Sequence, residues 1–229
     1  MKRLVVLTGS GISAESGIRT FREMGGLWEE YDVHEVASPQ GWERDRELVL
    51  RFYNERRKQL INASPNQGHT SLAELEEFFD VDIITQNVDN LHERAGSTRI
   101  LHLHGELTKV RSTGDPNLIY ELDGWELKDG DTCEKGHQLR PHIVWFGEAV
   151  PLIEDAARIT SQADACVVIG TSLAVYPAAG LVSYVPADAP IYLIDPNDIP
   201  VPHHREVEVI REKASVGVPI LKEKLLERF

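Results

Sequence analysis

The stretch Ile100–Leu107 reads ILHLHGEL, with two histidines spaced two apart and then a glycine. Period-two spacing puts His102 and His104 on one face of a strand and Leu101 and Leu103 on the other. Imidazole can take up and return a proton near neutral pH, so either histidine could act as a general base. The plain alternative is a pair of packed strand residues. A second polar cluster, Gln86, Asn87 and Asp89 in TQNVDNLHERAG, follows another apolar run. Its amides and carboxylate suit ribose hydroxyls and a carboxamide, or more simply a helix cap. In TGSGISAESG, Gly9, Gly11 and Ala14 have the G-x-G-x-x-A spacing of a dinucleotide loop. Glycines there allow a tight turn and close approach of backbone to a pyrophosphate, and the helix N-terminus that follows favours negative charge. Gly170, Thr171 and Ser172 in GTSLAVYPAAGL end a further apolar run and suit phosphate, ribose or an ordinary turn. Tyr53 and Arg56 in FYNERRKQL are three apart and share a helix face. Arg56 can fork onto a carboxylate and Tyr53 can add a hydroxyl donor, although a surface ion pair would use Arg56 equally well.

These residues need elements to hold them. Six short apolar runs, RLVVL, VDIIT, RILHL, ACVVI, IYLI and VEVI, each pass at once into polar or glycine residues. Apolar strands separated by helix-length segments predict an α/β fold: a parallel sheet with helices on both faces. Ligands in such sheets bind outside the carboxyl ends of the strands, where the polar clusters lie. Two stretches break the pattern. Residues 28–68 hold a predicted helix over 45–61, and residues 105–144 are rich in Gly, Asp and Lys with little periodicity. The expected organisation is a core of 1–27, 69–104 and 145–229, with 28–68 and 105–144 as insertions forming a smaller module over the crevice. A dehydrogenase would place an acidic strand end about twenty residues after the glycine loop. Here RTFREMGGLWEEY follows instead, a glycine-bearing loop with aromatics. It could fold over the nicotinamide half of a cofactor that is held bent and consumed.

Composition narrows the classes. The 229 residues carry a net charge of −13, which argues against general binding to nucleic acid or to an anionic membrane. Residues 165–187 are uncharged and long enough for a membrane span, but Gly170, Pro177 and Gly180 make them read as strand, turn and short helix. MKRLVVLTGSG passes straight into a glycine turn without a small-residue cleavage pattern and reads as a first strand. Cys133 and Cys166 make no disulfide framework, and the expected compartment is the reducing cytoplasm.

The set GSGISAESGIRTFR, TQNVDNLHERAG, LHLHGEL, VWFGEAVP and GTSLAVYPAAGL, in this order, resembles the sirtuins, the NAD-dependent protein-lysine deacylases. That resemblance implies a Rossmann-like fold and NAD as a consumed co-substrate. The acyl oxygen of a modified lysine attacks the nicotinamide ribose, and free lysine, nicotinamide and O-acyl-ADP-ribose are released. It makes His104 the base and His102 a packed residue behind it, and sets Asn87 and Asp89 at the ribose and the carboxamide. It implies further cofactor contacts at Ser10, Glu15 and Thr20 after the first strand, and at Phe21, Arg22 and Trp28 in the aromatic loop. Gln86, Asp195, Pro196, Asn197 and Ala214 complete the expected cofactor set. Val144, Phe146, Gly147 and Glu148 are expected to bind the substrate backbone as an added strand. Tyr53 and Arg56 resemble the Y-x-x-R of the class III sirtuins, which accept acidic acyl groups such as succinyl. Ala14 resembles the small residue that leaves room for a longer acyl chain in that branch.

The chain departs from the family in one large respect. Most sirtuins hold a structural zinc with two C-x-x-C pairs; here only Cys133 remains, with His137 nearby and Asp131 and Glu134 as poor substitutes. The expectation is no zinc, with packing through Leu118, Tyr120, Trp125 and Leu127 in its place. Ser10 stands where alanine is usual and Asp195 where asparagine is usual. The competing readings are a non-catalytic NAD or ADP-ribose sensor, a mono-ADP-ribosyltransferase and a dehydrogenase.

Overall fold

The computed structural model describes residues 1–20, 30–171, 176–199 and 206–229. The chain opens with β1 (Lys2–Thr8) and a single helical turn, α1 (Gly11–Ala14). Short helices α2 (Val33–Val36) and α3 (Pro39–Arg44) lead into the long α4 (Arg46–Asn62), followed by α5 (Gln67–Glu74). Then come β2 (Phe79–Thr85), α6 (Leu91–Ala95), β3 (Ile100–His102), β4 (Gly105–Ser112), β5 (Ile119–Glu121) and β6 (Leu139–Ile143). The last part runs α7 (Ile153–Thr160), β7 (Ala165–Ile169), β8 (Ile191–Ile194), β9 (Val207–Ile210) and α8 (Ala214–Arg228).

All six apolar runs become strands of one parallel sheet, ordered β3-β2-β1-β7-β8-β9. Burial explains the lack of alternation: every residue of β7 and the last five of β1 are shielded on both faces. One face packs against α5 and α8, through Leu72, Val218 and Leu221; the other packs Ala156 and Leu181 against Val5 and Val168. Gly217 lets α8 approach closely, since a Cβ there would come 2.3 Å from Ile194 Cγ2. The uncharged run forms β7 and a 3-10 turn over Ala178–Tyr184, and no helix of the described residues is long and apolar enough to cross a membrane.

The expected helix over 45–61 is α4, one residue later at each end. Asp45 caps it by accepting from the Leu48 N–H at 2.9 Å. Residues 105–144, read as without periodicity, form a second, antiparallel sheet ordered β5-β4-β6. Its signal was weak because β5 has only three residues and the β4–β6 register shifts between Gly105 and Val110. The two inserted stretches share a core: Val49, Phe52, Tyr53 and Leu60 of α4 meet Leu107, Val110, Leu127 and Ile143. Hydrogen bonds lock the contact. Asn54 donates to Leu127 O and accepts from Leu127 N, both at 3.0 Å, while buried Arg57 donates from Nε to Leu107 O at 2.7 Å.

Candidate active site

The strand order reverses between β1 and β7, and the loops leaving these strands diverge there. Gly9 N–H donates to Ile169 O at 3.0 Å, and Gly11 N–H to Gly170 O at 2.9 Å. A Cβ on Gly11 would lie 2.6 Å from Gly170 Cα, and one on Gly9 would lie 2.7 Å from Gly170 O. The glycines are thus needed for loop-to-loop contact before any phosphate is considered. Gly170 adds a left-handed φ of +59°. A cleft of about 440 Å³ opens at this point. It brings together the first-strand loop (Gly9, Ser10, Gly11, Thr20), the β2 loop (Gln86, Asn87) and His104. Gly170, Thr171, Asp195 and Asn197 line the far side, and Tyr53, Arg56, Val144, Phe146, Gly147 and Glu148 line the near one.

The two histidines part company. β3 stops at His102, so His104 sits in the turn before β4. His104 Nδ1 lies 3.1 Å from Gln86 O. A carbonyl can only accept, so Nδ1 carries the proton and Nε2 keeps its lone pair. Burial holds the His104 pKa below its ordinary value and so favours the neutral base, although the Gln86 hydrogen bond acts to raise it. His102 is buried behind, with Nδ1 3.1 Å from Asn87 O and Nε2 2.7 Å from a Glu93 carboxylate oxygen. Burial opposes its charge, but the Glu93 hydrogen bond and charge win and raise its pKa. His102 thereby ties the Asn87 backbone to α6.

Asn87 donates from Nδ2 to Gly9 O at 3.1 Å and to Ser13 Oγ at 3.2 Å. Asp89 lies deeper and does not line the cleft; it accepts from Ser13 Oγ at 3.0 Å and from Leu91 N–H at 3.1 Å. Burial raises its pKa even though these donors and the His102 and Arg56 charges act the other way. Behind Ser13 stands His69, whose Nδ1 accepts from Asn66 N–H at 3.3 Å, so its Nε2 faces Ser13 Oγ as a donor at 3.5 Å. The His69 ring meets that of His92 edge-on at 5.0 Å, and His92 reaches Thr8 Oγ1 at 3.1 Å. Sequence reasoning missed this buried set. Its one signal was polar residues, His69 and His92, on the inward faces of α5 and α6.

At the other end of the cleft, α4 presents buried Tyr53 and Arg56, the latter with its guanidinium carbon 5.6 Å from the Phe52 ring centroid. Burial pushes the Tyr53 hydroxyl up to about 12, so it stays a donor, and pulls the Arg56 guanidinium down. Trp145, which sequence reasoning passed over between Val144 and Phe146, donates its indole N–H to Tyr53 Oη at 3.0 Å. Glu148 is committed internally: its carboxylate accepts from Arg140 at 2.6 Å, from Arg111 at 3.2 Å and from Trp145 N–H at 2.7 Å. Burial would raise the Glu148 carboxyl, but these donors hold it below its usual range. Two N–H groups of the segment expected to act as an added strand are used within the protein, Val144 donating to His104 O and Phe146 to Ala37 O, both at 2.9 Å.

Several expected residues stand elsewhere. Ala14 is exposed on α1 and does not line the cleft, so its position lends nothing to the idea that it makes room for an acyl chain. Glu15 accepts from Ser215 N–H and Oγ, joining α1 to α8. Ala214 is buried beneath Gly68, and Pro196 is exposed beside the Asp195–Asn197 turn, where Asp195 accepts from Asn197 N–H at 2.9 Å. Phe21, Arg22, Trp28 and Ser172 lie outside the described residues.

A family model described as the Sir2 family matches residues 9–177. The chain belongs to the Sir2 family. It is 59% identical over 231 residues to the "NAD-dependent protein deacylase" of Bacteroides thetaiotaomicron, covering 99% of both chains. It is 55% identical over 229 residues to the protein of the same name from Helicobacter pylori, again covering 99% of both. A solved Sir2 homolog–NAD complex matches with a TM-score of 0.89 at 41% identity, covering 99% of this chain and 90% of that one. The Sir2 assignment accords with the Rossmann-like sheet and the small antiparallel module.

The family resemblance also implies zinc in that module, and the residues present do not fit one. The single thiol, Cys133 Sγ, donates to Ser112 Oγ at 3.3 Å, and Ser112 Oγ accepts from Gly114 and Asp115 N–H at 3.2 Å. Asp115 pairs with Lys135 at 2.7 Å, Glu134 accepts from the Tyr120 hydroxyl, and Asp131 accepts from Lys128 N–H at 2.8 Å. The His137 ring lies against Gly114, where a Cβ would come within 2.4 Å of it. Among the described residues no group of three His, Cys, Asp or Glu side chains could hold a metal ion, whereas a structural zinc wants four donors.

Proposed function

We propose that this chain is an NAD-dependent protein-lysine deacylase that removes acetyl and acidic acyl groups such as succinyl. One observation carries the reading: a single cleft joins a glycine dinucleotide loop, an imidazole with a free Nε2 and a buried Arg–Tyr pair. Bound NAD would supply an electrophilic ribose carbon: the acyl oxygen bonds to it as the bond to nicotinamide breaks, the ADP-ribose part keeps the acyl group, and one water is consumed in freeing the lysine. The loop of Gly9–Gly11 and the Gly170–Thr171 turn present backbone to the pyrophosphate. His104 Nε2 takes a proton from a ribose hydroxyl, and neutrality at physiological pH suits it to that task. Asn87 orients the ribose end, and Asp89 acts on the carboxamide side through Ser13 and the Asn87 loop. Arg56 and Tyr53 receive the acyl carboxylate. The module formed by 28–68 and 105–144 supplies that end of the cleft and the substrate edge at Val144–Glu148. The products are free lysine, nicotinamide and O-acyl-ADP-ribose. Cys133 and Cys166 are both buried thiols, which suits a reducing compartment.

Mass spectrometry of matched acetyl- and succinyl-lysine peptides, each with and without NAD, tests the reading. The expected result is NAD-dependent loss of both acyl groups with formation of the corresponding O-acyl-ADP-ribose. Loss of acetyl alone would discard the acidic-acyl part. No turnover of either would overturn the proposal in favour of a sensor, and ADP-ribosylated peptide in favour of a transferase.

A further inference from the structure

Trp145 touches the acyl-reading pair without carrying charge. A phenol oxygen has one hydrogen to give and lone pairs to receive with. The indole N–H occupies a lone pair of Tyr53 Oη at 3.0 Å, so the phenol hydrogen cannot point at Trp145 and is left for another acceptor. Trp145 is itself held on each side. It is 2% exposed, with the Arg140 guanidinium 3.3 Å from its ring centroid and the Trp42 ring 5.7 Å away. Its backbone N–H is anchored to Glu148, which also grips Arg140 and Arg111 of the small sheet. A cation over the indole face draws electron density from the ring and makes its N–H a stronger donor.

We infer that Trp145 is a positioning residue for acyl-carboxylate recognition: its indole N–H fixes the Tyr53 hydroxyl as a donor toward the carboxylate that Arg56 receives. The inference rests on the acidic-acyl reading of Tyr53 and Arg56. An acetyl group has no acceptor at that end, so the indole bond bears on the choice between acyl groups.

The test is a double-mutant cycle on the full chain. Trp145→Phe keeps an aromatic ring beside Arg140 and removes the N–H; Tyr53→Phe removes the hydroxyl. Both, and the double variant, are assayed for kcat/KM on matched succinyl- and acetyl-lysine peptides at saturating NAD. The ratio of desuccinylation to deacetylation should fall roughly 2- to 13-fold in Trp145→Phe, the worth of one oriented hydrogen bond. In the Tyr53→Phe background the second substitution should change that ratio no further. An undiminished ratio, or an equal additional loss without the Tyr53 hydroxyl, overturns the inference. If Trp145→Phe does not fold, replacing Trp145 with the isosteric benzothienylalanine, which lacks only the N–H, decides the same question. Arg56→Met and Tyr53→Phe alone separate the two failures. If neither moves the ratio, the acidic-acyl reading is wrong; if both do and the Trp145 variants do not, only the role of Trp145 is wrong.

Discussion

Arg56→Met tests the acyl reading most directly, because methionine keeps an apolar chain of similar reach and removes only the charged fork. Arg56 is 8% exposed, and its neighbours in the cleft wall include Phe52, Ala37 and Ile143, so a carboxylate meeting it leaves bulk water behind. Truncating one partner of a buried, hydrogen-bonded charge pair costs about 2–5 kcal/mol. The cleft opens to solvent and Tyr53 remains as a donor, which puts the expected loss near the lower middle, about 3 kcal/mol. At about 1.4 kcal/mol per decade this is a roughly 150-fold fall in kcat/KM for a succinyl-lysine peptide relative to its acetyl counterpart. The assay is paired kinetics on the two peptides. Arg56 also acts to lower the Asp89 carboxyl, so the KM for NAD must be followed as well. A thermal melt of the variant checks that the fold survives the change, so that a kinetic loss is read on folded protein. Equal losses on both peptides at unchanged NAD KM would refute the reasoning and make Arg56 a structural residue.

His104→Ala should abolish formation of O-acyl-ADP-ribose while calorimetry still detects NAD binding; surviving turnover would remove His104 from the chemistry. Since burial depresses the His104 pKa, the acid limb of kcat/KM should fall below the ordinary imidazole value of about 6.5, and a limb above it would contradict burial as the dominant influence on that ring. Burial lowers His69 to about 4, so on acidification the unfolded chain takes up that proton first. The stability it contributes is complete above about pH 6.5 and drains away toward pH 4, with a slope of up to about 1.4 kcal/mol per unit. Denaturant melts of His69→Asn should show a shallower slope in that window, and an unchanged slope would clear His69. Metal analysis of purified protein should find well under one zinc per chain, and Cys133→Ala should cost only about 1 kcal/mol; stoichiometric zinc would overturn the account of the small module.

The parallel sheet was legible because strands buried on both faces have little freedom in composition: ACVVI and IYLI allow few other readings. The cleft was legible for the same reason, since polar residues at the ends of such strands have nowhere else to go. The small sheet was not, because β5 has only three residues, the β4–β6 register is broken by a bulge, and its packing depends on contacts with α4. Trp145 escaped notice because a large aromatic in an apolar run reads as core; only the distance to Tyr53 Oη distinguishes it. Ser13, His69 and His92 escaped because hydrogen bonds between residues 56 or more positions apart leave no local pattern. The glycines of the first loop were found on the grounds of a tight turn and a close cofactor, whereas the backbone they approach most tightly is that of Gly170.

The substrate edge carries a consequence for selectivity. Val144, Trp145 and Phe146 have all spent their N–H groups within the protein, on His104 O, the Glu148 carboxylate and Ala37 O. A peptide laid along this edge, as the proposed function requires, would find few ready N–H donors there and would have to donate its own N–H groups to the edge's carbonyls. In the proposed deacylase, discrimination would then lean on the far end of the cleft, where Tyr53 and Arg56 face the cargo of the lysine side chain.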